Sequence, residues 1–193
     1  MRGVLAALFA ALPLAAFAET TPPFDAPPWQ QRAAGGLVHA DSGVICPEGM
    51  YTLRLISAKQ RVPGAPPACR YARGNTVLTL EVEPIAADAA FDPWFSDREA
   101  GFAEKLDIRV DRGTSDFCTG KLREKLGDGV EGTGCALVHD TAMTGVTAAS
   151  QAGGWRLGIV FLTLGTGEQR AIEMMKIAID LLARQHAAIA RQE

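Results

Sequence analysis

The stretch Trp155-Arg156-Leu157-Gly158-Ile159-Val160-Phe161-Leu162-Thr163-Leu164, followed almost at once by Glu168-Gln169-Arg170-Ala171-Ile172-Glu173-Met174-Met175-Lys176, decides the fold. From Ile159 onward the first segment is apolar at both parities, which suits a strand only when layers cover both of its faces. Such a strand belongs inside a sheet. The second segment changes period: Ile172, Met175, Ile179, Leu182, His186 and Ile189 fall on one helical stripe, and Met174, Ala178 and Leu181 widen it. Glu168, Arg170, Lys176, Asp180 and Arg184 take the wet side, so the helix is expected to lie along the sheet rather than on a membrane. Thr166 and Gln169 stand at capping-box spacing, and the predicted helix opens there and runs to about Arg191.

Upstream, Gly153-Gly154 turns the chain, and strands are expected at Gly145 to Ser150 and Cys135 to His139. The clearest local signal lies earlier. Ala68 to Arg73, a turn at Gly74-Asn75, and Thr76 to Glu83 form a hairpin in which Leu78, Leu80 and Val82 alternate with Thr79, Glu81 and Glu83 over one wet face. Asp92 before Pro93 reads as an N-cap with proline at the first helical position, and Phe91, Trp94, Phe95, Phe102 and Leu106 recur near helical spacing, predicting a helix over 93–106. Between Asp107 and Gly134 the pattern supports only a short strand at Ile108 to Val110, a helical turn at Lys121 to Leu126 and a glycine-rich loop. Short strands are expected at Val44 to Cys46 and Met50 to Ile56, and Ser57 to Pro67 reads as a loop.

Four cysteines follow a secretory-type leader: Cys46, Cys69, Cys118 and Cys135. An even count in an exported chain reads as two disulfides, with three pairings possible. Sequential pairing, Cys46 with Cys69 and Cys118 with Cys135, closes the shortest loops and is favoured. A plain hairpin of 50–56 with 68–73 would leave Cys46 about 30 Å from Cys69 at the strand rise, so that hairpin and the first bridge exclude one another. The bridge is preferred, with the segment ending at Cys46 lying beside Cys69. No CxxC pair supports zinc or redox chemistry.

The leader is the first 18 residues: Arg2, the apolar run Val4 to Phe17 interrupted by Pro13, and the small residues Ala16-Phe17-Ala18. It is too short for a membrane span. Removing it takes away one arginine and no acid, leaving the chain one unit more acidic than its formal −3. Residues 19–36, with Pro22, Pro23, Pro27, Pro28, Gly35 and Gly36, read as a mobile arm whose Phe24 and Trp29 either pack on the domain or serve as a partner-docking peptide. Residues 37–193 form a single domain, since a chain of this size with 48% hydrophobic residues can close one core. The mild acidity, without a basic stripe, argues against nucleic acid.

Catalytic and cofactor signals are sparse. Gly127-Asp128-Gly129-Val130-Glu131-Gly132 matches GxGxxG, but it follows a helix-like segment and places carboxylates where phosphate would sit. A loop is the simpler reading. His39, His139 and His186 lack metal-ligand spacing, so no metal and no cofactor is predicted. His39 with Asp41 and Ser42, and His139 with Asp140 and Thr141, hold hydrolase residue types that cannot converge so close along one strand. A composite site built from both clusters is the remaining catalytic alternative. Phe91, Trp94, Phe95 and Trp155 are either core or the lining of a ligand pocket.

The order of antiparallel strands, a middle helix, an apolar strand opened by Trp155 and a long terminal helix through Leu182 resembles the Mog1/PsbP-like fold over about residues 40–190. That resemblance implies a non-enzymatic binding or assembly factor and carries over no site residue. The expectation is therefore an α+β protein, an antiparallel sheet packed by a middle helix and a long C-terminal helix and braced by two disulfides. It is expected to be bacterial and exported, periplasmic first and extracellular second. It would bind an envelope protein partner without catalysis and hold no integral membrane segment after leader cleavage; the alternative is a small-ligand or metal-binding domain with weak hydrolytic activity.

Overall fold

A computed structural model describes residues 28–58, 66–87, 89–127, 130, 132–139, 142–165 and 167–191. The leader, Phe24, Asp128, Glu131, Asp140, Thr141 and Thr166 lie outside the described residues. A small sheet holds β1 (Trp29–Gln31), β2 (Leu37–His39) and β3 (Ile45–Cys46) in that order. The main sheet is antiparallel and eight-stranded. Its strands are β4 (Gly49–Met50), β5 (Leu53–Ala58), β6 (Ala68–Arg73), β7 (Thr76–Pro84), β8 (Arg109–Asp111), β9 (Thr133–His139), β10 (Met143–Ala152) and β11 (Trp155–Leu164), ordered β4-β5-β6-β7-β11-β10-β9-β8. Helices α1 (Phe91–Leu106), α2 (Arg112–Leu126) and α3 (Glu168–Ile189) complete the chain. The α+β expectation holds, with both sequential disulfides formed.

β11 lies between β7 and β10, as its two-sided apolar pattern requires. One face carries Leu157, Ile159 and Phe161, all buried, against α3. On the other face α1 comes close because the sheet is thin there. Gly134, Ala149 and Gly158 are in register across β9, β10 and β11. A Cβ at Gly134 would stand 2.6 Å from the Phe95 ring, and one at Gly158 would stand 2.8 Å from the Arg98 guanidinium. The hairpin β6–β7 turns at Gly74-Asn75 as expected, with Gly74 at φ 54°. Its supposed wet face is partly roofed: Arg98 on α1 pairs with Glu81 at 2.6 Å, and Arg156 lies 3.9 Å from Glu83.

Four expectations are corrected. α1 begins at Phe91, with Ala90 rather than Asp92 at the N-cap, because the buried Phe91 ring stacks on Phe95 and the Arg156 guanidinium donates to the carbonyls of Ala89 and Ala90. α3 is capped by Gly167 without a side-chain bond, and Gln169 donates forward to Glu173 instead of reaching back. The run 50–56 is not one strand. Tyr51, at φ 55°, turns the chain between β4 and β5, so that Cys46 doubles back toward the far end of β5, where Ala58 pairs with Cys69. The pairing of 54–58 with 69–72 and the Cys46–Cys69 bridge therefore coexist, the two cysteine Cα atoms lying 6.1 Å apart.

The fourth correction is the largest. α2 spans 15 residues where a single turn was expected. Gly113, Thr114, Ser115, Thr119 and Gly120 are weak helix formers, so propensity conceals it. Tertiary bonds supply what propensity lacks. Asp111 caps the helix by accepting from the Thr114 amide and hydroxyl. One row down the helix then serves the outer side of β9 from where the short β8 ends: Ser115 Oγ accepts from the Leu137 amide, Thr119 Oγ1 accepts from the Cys135 amide and donates to its carbonyl, and Arg123 Nε donates to Thr133 Oγ1. The helix thus occupies hydrogen-bonding groups that would otherwise invite a foreign strand. The Cys118–Cys135 bridge, Cα atoms 5.5 Å apart, fixes it there.

Candidate functional site

Most residues singled out by sequence pattern are structural. Trp29 is buried in β1, pairs opposite His39 and packs its ring edge-on to that histidine, with centroids 5.2 Å apart. From Pro28 to Gly36 the predicted arm is turn and strand, with Trp29 packed in the core rather than exposed for docking; residues 19–27, Phe24 among them, lie outside the described residues. His39 also packs edge-on to Trp155 at 5.4 Å and is only 2% exposed. Its Nδ1 accepts from the Ser42 amide and lies 2.9 Å from Ser42 Oγ, which fixes the tautomer with the proton on Nε2. Burial holds its pKa below the ordinary value of 6.5, against a weaker opposing pull from Asp41. The ring is buried between two tryptophans rather than presented to a cleft.

The two histidine clusters do not converge. His139 is level with Thr144 and Thr163, whereas His39 touches Trp155, eight residues along β11 or about 27 Å at the strand rise. Trp155 likewise does not join Phe91, Trp94 and Phe95, which pack under α1 on the opposite face; Arg156 and Arg98 cover the Trp94 ring at 4.8 and 5.7 Å. Gly127 is the C-cap of α2, so the GxGxxG segment leaves a helix and enters a strand, the reverse of the dinucleotide arrangement. Among the described residues no group of three or more His, Cys, Asp or Glu side chains gathers as a metal site. His186 is half-buried with its Nδ1 unpartnered, and burial lowers its pKa.

The open surface lies elsewhere, between α2 and α3. The two helices run parallel, since Gly113 and Thr114 face Gly167 and Glu168 at one end while Lys125 pairs with Asp180 at 3.2 Å at the other. A cleft of about 590 Å³ opens at the N-terminal ends, over Leu137, His139 and Thr144 of the sheet. A second depression of about 480 Å³ continues it toward Lys121, Lys125 and Lys176. Phe117, Ile172 and Met175 line both, so the two form one groove. From Gly113 to Lys125 it is about 18 Å long at the helical rise.

Its floor is apolar and incompletely covered. Phe117 is 59% exposed, and Ile172 and Ile179, expected on the buried stripe of α3, are only half-buried at its edge. The ends differ in charge. Asp111 and Glu168 lie at the N-terminal end beside His139; Thr114, by hydroxyl and amide bonds, holds the Asp111 carboxyl below its ordinary value, with His139 adding to the effect. Three lysines and two acids rim the other end, where Lys121 pairs with Glu124, Lys125 pairs with Asp180, and Lys176 has no ionic partner among the described residues. Sequence reading missed this site because it rests on α2. Phe117 and Lys121, one helical turn apart and followed by Lys125, were the available signal, but only in a segment recognised as helix.

Among the described residues no helix is long and apolar enough to cross a membrane. Comparison with family models, curated proteins and solved structures finds no match to this chain.

Proposed function

We propose that this chain is an exported, non-catalytic binding protein that takes a protein partner along the α2–α3 groove. The observation that carries this is the exposed apolar floor around Phe117, between two helices whose own packing has left it uncovered. Large aromatic side chains left in water mark interaction surfaces when they are contiguous with further apolar residues, as Phe117 is with Ile172 and Met175. Export is supported by two disulfides, which persist outside the reducing cytosol, and by the leader-like start of the sequence. Rigidity suits the task. The groove walls are pinned by Cys118–Cys135 and by the row Ser115, Thr119 and Arg123, so the surface is ready-formed.

The test is a photoreactive side chain placed at Lys121, on the rim, and separately at the exposed Tyr51, on the far edge of the main sheet. Irradiation of the producing cells should give a discrete protein adduct from position 121 and none from position 51. No adduct at 121 in cells that fold and export the protein would overturn the proposal. A second reading is favoured by one observation: about 590 Å³ with His139, Thr144 and Asp111 at its wall is the size and polarity of a small-molecule pocket. A small ligand would raise thermal stability in a metabolite screen and leave position 121 without a protein adduct.

A further inference from the structure

The chemistry of the groove identifies the kind of partner. We infer that it receives an amphipathic helix of about 12 residues, running antiparallel to α2 and α3, with an acidic residue near its N-terminus and a basic one near its C-terminus. This deepens the proposal above and rests on it. The floor residues of α3, Ile172, Met175 and Ile179, recur at helical spacing, and Phe117 stands opposite them on α2, so the groove presents a ridge pattern that a third helix can mesh with. A helix pressed into such a seam buries apolar residues at i, i+3, i+4 and i+7.

Direction follows from charge. The N-terminal ends of α2 and α3 meet at the cleft bearing Asp111 and Glu168, and the lysine-rich end lies about 18 Å away. An antiparallel partner brings the negative end of its own dipole to two helix N-termini. A Lys or Arg in its last turn then faces Asp111 and Glu168, and an Asp or Glu in its first turn faces Lys176. The same placement stabilises the partner helix internally, since acids favour its N-terminus and bases its C-terminus. A parallel partner would oppose like dipole ends and need charges that weaken its own helix.

The probes are two peptides sharing one leucine seam: one with glutamates in the first turn and lysines in the last, the other with these exchanged. Binding to the full protein, both disulfides intact, is read by fluorescence anisotropy. The first peptide should bind about fivefold more tightly than the second, from two surface charge pairs turned from attraction to repulsion. The exchanged peptide is also a poorer helix, so the deciding measurement is the ratio on a K121E/K176E variant, which should fall by at least about threefold from its wild-type value as the pairs at the lysine end reverse while peptide helicity is unchanged. A ratio unchanged in the variant, or binding of neither peptide, overturns the inference. If neither binds while position 121 still yields its protein adduct, the antiparallel helix is wrong and the binding role stands; if the adduct is also missing, both fall. Saturable binding of sodium dodecanoate, displaced by neither peptide, would overturn the helix in favour of a single-chain amphiphile.

Discussion

Two ends of this molecule handle aromatic residues in opposite ways. At the small sheet, Trp29, His39 and Trp155 pack edge to face, and Cys46–Cys69 and Gln185, which donates to the Ile45 carbonyl and accepts from its amide, fasten β3 to the main sheet and to α3. In the α2–α3 groove, Phe117 projects from a helix equally well fastened, yet it remains mostly in water. Both regions are braced, so exposure at the groove is not a consequence of loose packing. A histidine beside a serine hydroxyl proved to be core, and a helix with no recognisable motif carries the open surface.

The largest effect that would break this contrast is Trp29→Ala. A buried tryptophan in a closed cluster should cost about 3–5 kcal/mol on truncation, read from urea unfolding. A loss near zero would return Trp29 to a mobile arm and leave the sealed end without its keystone. Next comes the paired change Cys46→Ala and Cys69→Ala. The bridge closes a sequence separation of 23 residues, so its removal should cost about 3 kcal/mol. A much smaller loss would mean that β1 to β3 are held by Gln185 and side-chain packing alone.

The sealed end was half legible. The central strand, the hairpin at Gly74-Asn75, α1, α3 and both disulfide pairings follow from periodicity, turn chemistry and loop length, which are local or nearly local properties. The doubling back at Tyr51 was not, because a non-glycine residue with positive φ carries no sequence mark and Met50 to Ile56 keeps strand composition throughout. The groove was illegible for a related reason. α2 is held by bonds from Ser115, Thr119 and Arg123 to a strand edge, and residues chosen for those bonds are the ones that propensity counts against a helix. Half-buried Ile172 and Ile179 look the same in sequence as fully buried ones.

Acid should separate the ends more gently. Burial lowers the pKa of His39 and of His186, so the unfolded chain takes up protons below 6.5 while the native chain resists them. Stability is therefore full above that value and falls as pH drops below it, until the native pKa values are passed. Asp111 at the groove works in the other direction: its carboxyl is held low, so its contribution is present above 3.8 and is lost only as pH falls through the native value. Between pH 6.5 and about 4.5, above the range where carboxylates titrate, the decline belongs to these two histidines, and H186Q should flatten part of it in urea midpoints compared at pH 7.5 and 5.0. An unchanged slope in that variant would place the dependence elsewhere.

Phe117→Ser is the smallest expected effect on stability and the sharpest test of the contrast. An aromatic ring 59% exposed has little burial to lose, so the urea midpoint should stay within about 0.5 kcal/mol of wild type. The same change removes the aromatic residue that lines both halves of the groove, so binding of the leucine-seam peptide should fall by at least about tenfold, as truncation of a central aromatic anchor does. Trp29 and Phe117 then give opposite outcomes for the same kind of deletion: one costs the fold and the other only the interaction. If Phe117→Ser instead destabilises as much as Trp29→Ala, the ring belongs to the core in solution and the groove is closed. If both stability and peptide binding are untouched, the groove is open but Phe117 is not what a partner grips, and contact would have to fall on Ile172 and Ile179 alone.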